Sequence, residues 1–193
     1  MSMEKKDMVT RCAHAGSRRE NEGANAPFQP PIVQSTVFDL GTAADAEAIF
    51  SGVRPGFAYS RFGNPTVDLL AGAIADLEGG AGALVTSSGN AAVLCAVVAA
   101  LEGQKGPLVT HQDIYGGSFE LLQILASVCR VPVETVDATD AGAWSKALAG
   151  AGAVVIETPS NPLMRLIDLS ATVSAAHACG APVIVDKTVA TPF

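Results

Sequence analysis

The segment Ala153–Asp186 reads AVVIETPSNPLMRLIDLSATVSAAHACGAPVIVD, and its rhythm decides the fold. It opens on a short apolar run, AVVIE, and closes on another, PVIVD, and neither alternates apolar with polar residues. A strand with one face in water alternates, whereas a strand covered on both faces does not. Between the runs lie a turn-rich stretch, TPSNPLM, and a helical one, LSATVSAAHACG, which stops at Gly180. Short Val/Ile-rich strands separated by helices predict a parallel sheet with helices on both faces.

The pattern extends upstream. GALVT precedes SSG and the helix NAAVLCAVVAALEG; PLVTH precedes QDIYGG and the helix SFELLQILASVC; VPVETV precedes the helix DAGAWSKALAG. The predicted class is α/β, doubly wound. Earlier still, PTVDLLAGAIADLEGG opens on Pro65, places Leu69, Leu70, Ala73, Ile74 and Leu77 on one face and stops at Gly79-Gly80. Before that, periodicity is weak and breakers are frequent, as in NEGANAPFQPPIVQSTVF. This predicts an extended N-terminal arm over residues 1–62 and an α/β domain from residue 63 to 193.

Of 193 residues, 49% are hydrophobic and 16% charged, which is globular composition. The net charge of -7 disfavours nucleic acid and anionic membrane as partners. No apolar run reaches the length of a membrane span, and the start MSMEKKDMVTRCAHAG lacks the apolar core of a signal peptide. Cys12, Cys95, Cys129 and Cys179 form no CxxC pair, so buried or unreactive thiols in a reducing cytoplasm are expected. His14, His111 and His177 form no metal-like cluster; no metal is expected, and none of the three receives a role.

In doubly wound sheets ligands bind at the carboxyl ends of the strands. There, Ser87, Ser88 and Gly89 open a helix, and free N–H groups with the helix dipole suit an anion. Ser88 is equally a plain N-cap. Tyr115, beside two glycines, can lay its ring on a flat ligand or offer its hydroxyl, or be an ordinary loop tyrosine. Asn161, in ETPSNP with Glu157, can donate to a ligand oxygen or form an Asn-Pro turn. Asp186 ends an apolar strand and needs a cation or donor, because an unpaired buried charge is costly. Each feature is ordinary alone. In this order, at consecutive strand ends, they describe a pocket for a flat, phosphorylated heteroaromatic with a protonated ring nitrogen.

Six motifs, YSRFGNPT, LEGG, SSGNAA, DIYGG, ETPSNP and VDKTVATP, resemble the Cys/Met-metabolism pyridoxal-phosphate enzymes. That family includes cystathionine γ-synthase, the cystathionine lyases, methionine γ-lyase and the O-acyl-homoserine sulfhydrylases. The resemblance runs from Thr10 to Pro192 and corresponds to the first half of a typical member. It implies a fold-type I transferase, here the N-terminal arm and the first part of the mainly parallel large-domain sheet, with pyridoxal 5′-phosphate as cofactor.

By that resemblance Ser88, Gly89 and Asn90 cradle the phosphate, although Asn90 stands where the family usually has Met. Tyr115 stacks on the ring and gives a proton to the leaving group. Asn161, with Glu157 in the same motif, bonds the ring hydroxyl, and Asp186, with Thr188 in its motif, keeps the ring nitrogen protonated. Tyr59 and Arg61 are similar to the pair that reaches a neighbouring subunit's phosphate. Lys187 stands where the family has Asn, and Gly117 where methionine γ-lyases usually have Cys. The implied substrates are amino acids with sulfur or activated oxygen at Cβ or Cγ, such as cystathionine or O-acyl-homoserine.

The family attaches its cofactor to a lysine in a SATKY-like segment, which these residues do not include. Lys5 and Lys6 fall in the arm, Lys105 in a turn away from the strand carboxyl ends, and Lys146 on a polar helix face. Lys187 follows Asp186, and neighbouring strand residues face opposite ways, so Lys187 is expected to point away from the ring. The expectation is therefore a subunit or fragment of such an enzyme, unstable as a monomer. A second chain then supplies the lysine and the C-terminal domain. The alternative is a lysine-free, non-catalytic homologue with a binding or structural role.

Overall fold

The computed structural model describes residues 7–16 and 29–192, so Lys5, Lys6 and most of NEGANAPFQP lie outside the described residues. The chain divides into two compact units, residues 1–85 and 86–193.

In the first unit the expected extended arm contains, among the described residues, two short helices. Helix α1 (Met8–His14) starts at Asp7, whose carboxylate takes the N–H of Thr10. Helix α2 (Ala43–Phe50) starts in a capping box between Thr42 and Asp45. Helices of seven and eight residues make barely two turns, so their period is hard to see in sequence, while their caps are strong. Helix α3 (Pro65–Glu78) follows its sequence signals, with Asn64 as N-cap, Pro65 in the first turn and Gly79 left-handed at φ +65°. Asn64 is buried and fully used. Its Oδ1 accepts from the Thr66 N–H at 2.9 Å, and its Nδ2 donates to the Val33 carbonyl at 3.1 Å and to Ser60 Oγ at 3.0 Å. Of the expected apolar face, Leu77 is buried, but Leu70 and Ile74 remain 50% and 39% exposed.

The second unit is the predicted α/β sheet. Helix α4 (Gly89–Ala100) leads into β1 (Leu108–His111), α5 (Gly116–Cys129), β2 (Val133–Val136), α6 (Ala141–Gly150), β3 (Ala153–Glu157), α7 (Leu169–Ala178) and β4 (Val183–Asp186). All strand pairs are parallel, in the order β2-β1-β3-β4. Strand β3 is central and wholly buried, which explains its unbroken apolar run. Its residues divide between two cores. Val154 and Ile156 pack with Trp144, Leu148 and Ala176 of α6 and α7. Ala153 and Val155 pack with Val93, Val97, Leu122 and Leu125 of α4 and α5. Burying these side chains contributes roughly 1.5–3 kcal/mol for each large aliphatic residue.

Two expectations fail here. GALVT forms no strand, and Leu84 is 76% exposed. A strand is a pairing rather than a local conformation, and among the described residues this segment has no ladder partner. Nor are the cysteines buried. All four are free; Cys95, Cys129 and Cys179 are exposed and Cys12 is partly so. Cys129 ends α5 and Cys179 caps α7, while Cys95 lies on an outward face of α4, a helix apolar on every side. Among the described residues no helix is long and apolar enough to cross a membrane.

Candidate functional site

At the carboxyl ends of the strands lies a pocket of about 320 Å³ lined by Gly89, Tyr115, Glu157, Asn161, Asp186, Thr188 and Val189. Six of these seven are residues that the sequence singled out. Consecutive strand–helix corners deliver them: β1 into α5 brings Tyr115, the end of β3 brings Glu157, its loop brings Asn161, and the end of β4 brings Asp186 and Thr188.

Glu157 and Asp186 are cross-strand neighbours at the last rung of the β3–β4 ladder. They share the sheet face of Val155 and Ile184, which carries α4 and α5, so both carboxylates are directed to one side. Oε2 of Glu157 accepts from the Tyr115 N–H at 2.7 Å. Burial pushes the Glu157 carboxyl above its ordinary range, the N–H groups of Tyr115 and Asn161 oppose this, and the Asp186 charge adds to the rise. Oδ1 of Asp186 accepts both the N–H of Thr188, at 2.9 Å, and its hydroxyl.

Ser88 acts as a cap: its hydroxyl takes the N–H of Ala91 at 3.2 Å and its carbonyl that of Ala92 at 3.1 Å. The first N–H groups of a helix, here those of Gly89 and Asn90, have no partner within it. A Cβ built on Gly89 meets nothing within 4 Å, so the chain's own packing does not demand glycine there. Tyr115, half-exposed, precedes α5 without a side-chain cap bond. Its ring lies over Gly117, where a Cβ would stand 2.6 Å from the Tyr115 Cε1.

Tyr59 and Arg61 belong to the first unit and lie together there. The Arg61 guanidinium lies 5.3 Å from the centre of the Tyr59 ring and 5.4 Å from that of Phe62. Lys187 does not line the pocket. It lines an adjacent cavity of about 280 Å³ with Ala92, Val93, Ala96, Ile184 and Val185, and the two spaces share Gly89, Asp186 and Thr188.

One residue given no role by sequence is part of the site's support. His111 is 2% exposed, and its Nε2 accepts the N–H of Glu157 at 3.1 Å. Burial lowers its pKa, against a smaller upward pull from Asp113, which favours the neutral ring this bond requires. The available signal was a histidine ending an apolar strand, a group that must find a partner once buried.

The family of Cys/Met metabolism PLP-dependent enzymes matches residues 9–193. The chain belongs to that family. Among its relatives, O-succinylhomoserine sulfhydrylase of Mycobacterium tuberculosis is 39% identical over 154 residues, covering 79% of this chain and 38% of that protein. Cystathionine γ-synthase of Escherichia coli is 42% identical over 136 residues, covering 69% and 35%. The structure is similar to that of cystathionine γ-synthase from Xanthomonas oryzae pv. oryzae in complex with cystathionine. That match has a TM-score of 0.78 and 37% identity, and it covers 97% of this chain and 46% of that one. The chain thus spans less than half the length of these relatives, and its fold is part of the fold-type I arrangement. Members of this family depend on pyridoxal 5′-phosphate. The pocket's lining fits that group: a carboxylate is there for a protonated ring nitrogen, an aromatic ring borders it, and a helix N-terminus suited to a phosphate opens beside it.

Proposed function

We propose that this chain provides the cofactor-cradling part of a pyridoxal-phosphate enzyme of sulfur amino-acid metabolism. On this reading a second chain carries the lysine and the C-terminal domain. The observation that carries it is the pocket: Gly89, Tyr115, Glu157, Asn161, Asp186 and Thr188 come together in one space whose lining includes no lysine.

In the assembled enzyme Asp186 would hold the ring nitrogen, Tyr115 the face of the ring, Asn161 the ring hydroxyl, and the N–H groups of Gly89 and Asn90 with Ser88 the phosphate. Tyr59 and Arg61 serve a neighbouring subunit's phosphate, Arg61 through its bidentate guanidinium. When bound, pyridoxal phosphate supplies an electron sink for the α-carbon of an amino acid. Asp186 maintains that sink by holding the ring proton. The Tyr115 hydroxyl delivers a proton to the group leaving from Cβ or Cγ, which yields elimination or replacement on substrates such as cystathionine or O-acyl-homoserine. A cytoplasmic setting agrees with four free cysteines.

The same pocket composition also favours a second reading, a lysine-free homologue that binds without catalysis. Expressing the chain alone and together with the product of its neighbouring gene separates the two. Yellow colour that appears in the co-purifying pair and is discharged by borohydride supports the two-chain enzyme. Such colour in this chain alone brings Lys187 back as the candidate lysine and sinks that reading, whereas no colour in either preparation favours the non-catalytic role.

A further inference from the structure

The β1–β3 ladder runs through Leu108↔Ala153, Val109↔Val154 and Thr110↔Val155 and then stops. Val154 and Thr158 turn their N–H groups the other way, to Pro182 at 2.9 Å and to Asp186 at 3.3 Å. Backbone groups alternate along a strand, so the N–H of Glu157 points back toward β1, where the next acceptor in register would be the His111 carbonyl. That carbonyl is turned to the N–H of Ile114, at 3.4 Å, as the chain leaves the sheet. The imidazole of His111 takes its place, with Nε2 3.1 Å from the Glu157 nitrogen. Glu157 in turn holds the N–H of Tyr115 at 2.7 Å, and the Tyr115 ring rests over Gly117 at the pocket.

We propose that His111 is a positioning residue of the pocket: its side chain completes the β1–β3 ladder in place of a main-chain carbonyl and, through Glu157, sets the main chain and ring of Tyr115. A histidine that merely fills the core would serve equally well with its ring turned either way. This one has to present an unprotonated Nε2, and so carries its proton on Nδ1. The relay itself is a property of the chain; its effect on cofactor binding rests on the function proposed above.

Two substitutions of similar polarity separate positioning from packing. In His111→Gln the amide oxygen falls near the place of Nε2, whereas in His111→Asn the shorter side chain cannot reach the Glu157 N–H. In the isotopically labelled full chain, the expected result is a wild-type ring nitrogen spectrum showing Nδ1 protonated and Nε2 bare. The Tyr115 amide proton resonance should keep its downfield position in the Gln variant and lose it in the Asn variant. Affinity for pyridoxamine 5′-phosphate, a probe that needs no lysine, should stay within about twofold of wild type for Gln and fall roughly tenfold for Asn. An unmoved Tyr115 amide in a folded Asn variant, or a protonated Nε2 in wild type, overturns the proposal. If wild type fails to bind the probe, the function proposed above loses its support, while the amide and ring spectra still decide the role of His111.

Discussion

The main-chain N–H of Tyr115 donates to the Glu157 carboxylate at 2.7 Å, joining two residues 42 positions apart at the ends of neighbouring strands. This bond uses the N–H of the residue at the N-cap of α5, which offers no side-chain cap of its own. Glu157→Ala removes it and leaves a donor without a partner. The expected cost is about 1–3 kcal/mol of stability, read as a lower midpoint in urea, because a bond to a charged acceptor is lost. Glu157→Gln, which keeps an acceptor oxygen, should cost less. Equal losses in the two variants would show that the carboxylate bond is not what holds the corner.

Gly117 lies under the Tyr115 ring. In Gly117→Ala the new Cβ would stand 2.6 Å from Cε1 and 3.2 Å from the hydroxyl, so the ring must swing away. Fold stability should change little, within about 0.5 kcal/mol, since the strain is relieved at the end of one side chain. The near-ultraviolet dichroism of Tyr115 and the affinity for pyridoxamine 5′-phosphate should both change. Gly116→Ala, whose Cβ meets nothing within 4 Å, is the control and should leave both intact.

His111 makes stability depend on pH. Its folded pKa lies below the ordinary 6.5 because burial penalises the charged ring. Below the unfolded value the unfolded chain binds the extra proton and the folded chain does not. The stability contribution is therefore fully present above about pH 6.5 and is lost as pH falls from there toward the folded pKa. Asp113, itself paired with Arg165 at 2.8 Å, tempers the effect. Urea midpoints at pH 7.5 and 5.5 should differ less in His111→Gln than in wild type. An identical pH difference in both would place the titration elsewhere.

The outward face of α4 carries Leu94, 38% exposed, and Val98, 50% exposed, with Cys95 between them. A helix apolar all round is built to be covered on more than one side. Alone, the chain should self-associate, with sedimentation rates rising with concentration. Val98→Lys should suppress this without lowering the thermal midpoint, because the side chain makes no part of the cores. Concentration-independent sedimentation of the wild type would mean that this face needs no cover.

Local chemistry determined much of this protein in advance. The caps and stops of α3, the four unalternating strands, the parallel class and the residues at each strand end are short-range patterns. Each was legible because a period, a proline or a glycine announces it within a few residues. Helices α1 and α2 were too short to show a period, and the cysteines followed a helix face whose covering no local pattern specifies. GALVT has a strand's composition but no partner among the described residues, because pairing is decided at a distance. His111 shows the same division most clearly. The sequence marks it as a polar residue closing an apolar strand; only the parallel register of β1 beside β3 aligns its Nε2 with the N–H of Glu157, 46 residues away. Hydrogen bonds of that kind depend on where the sheet ends, and this is a property of the assembled strands rather than of any one of them.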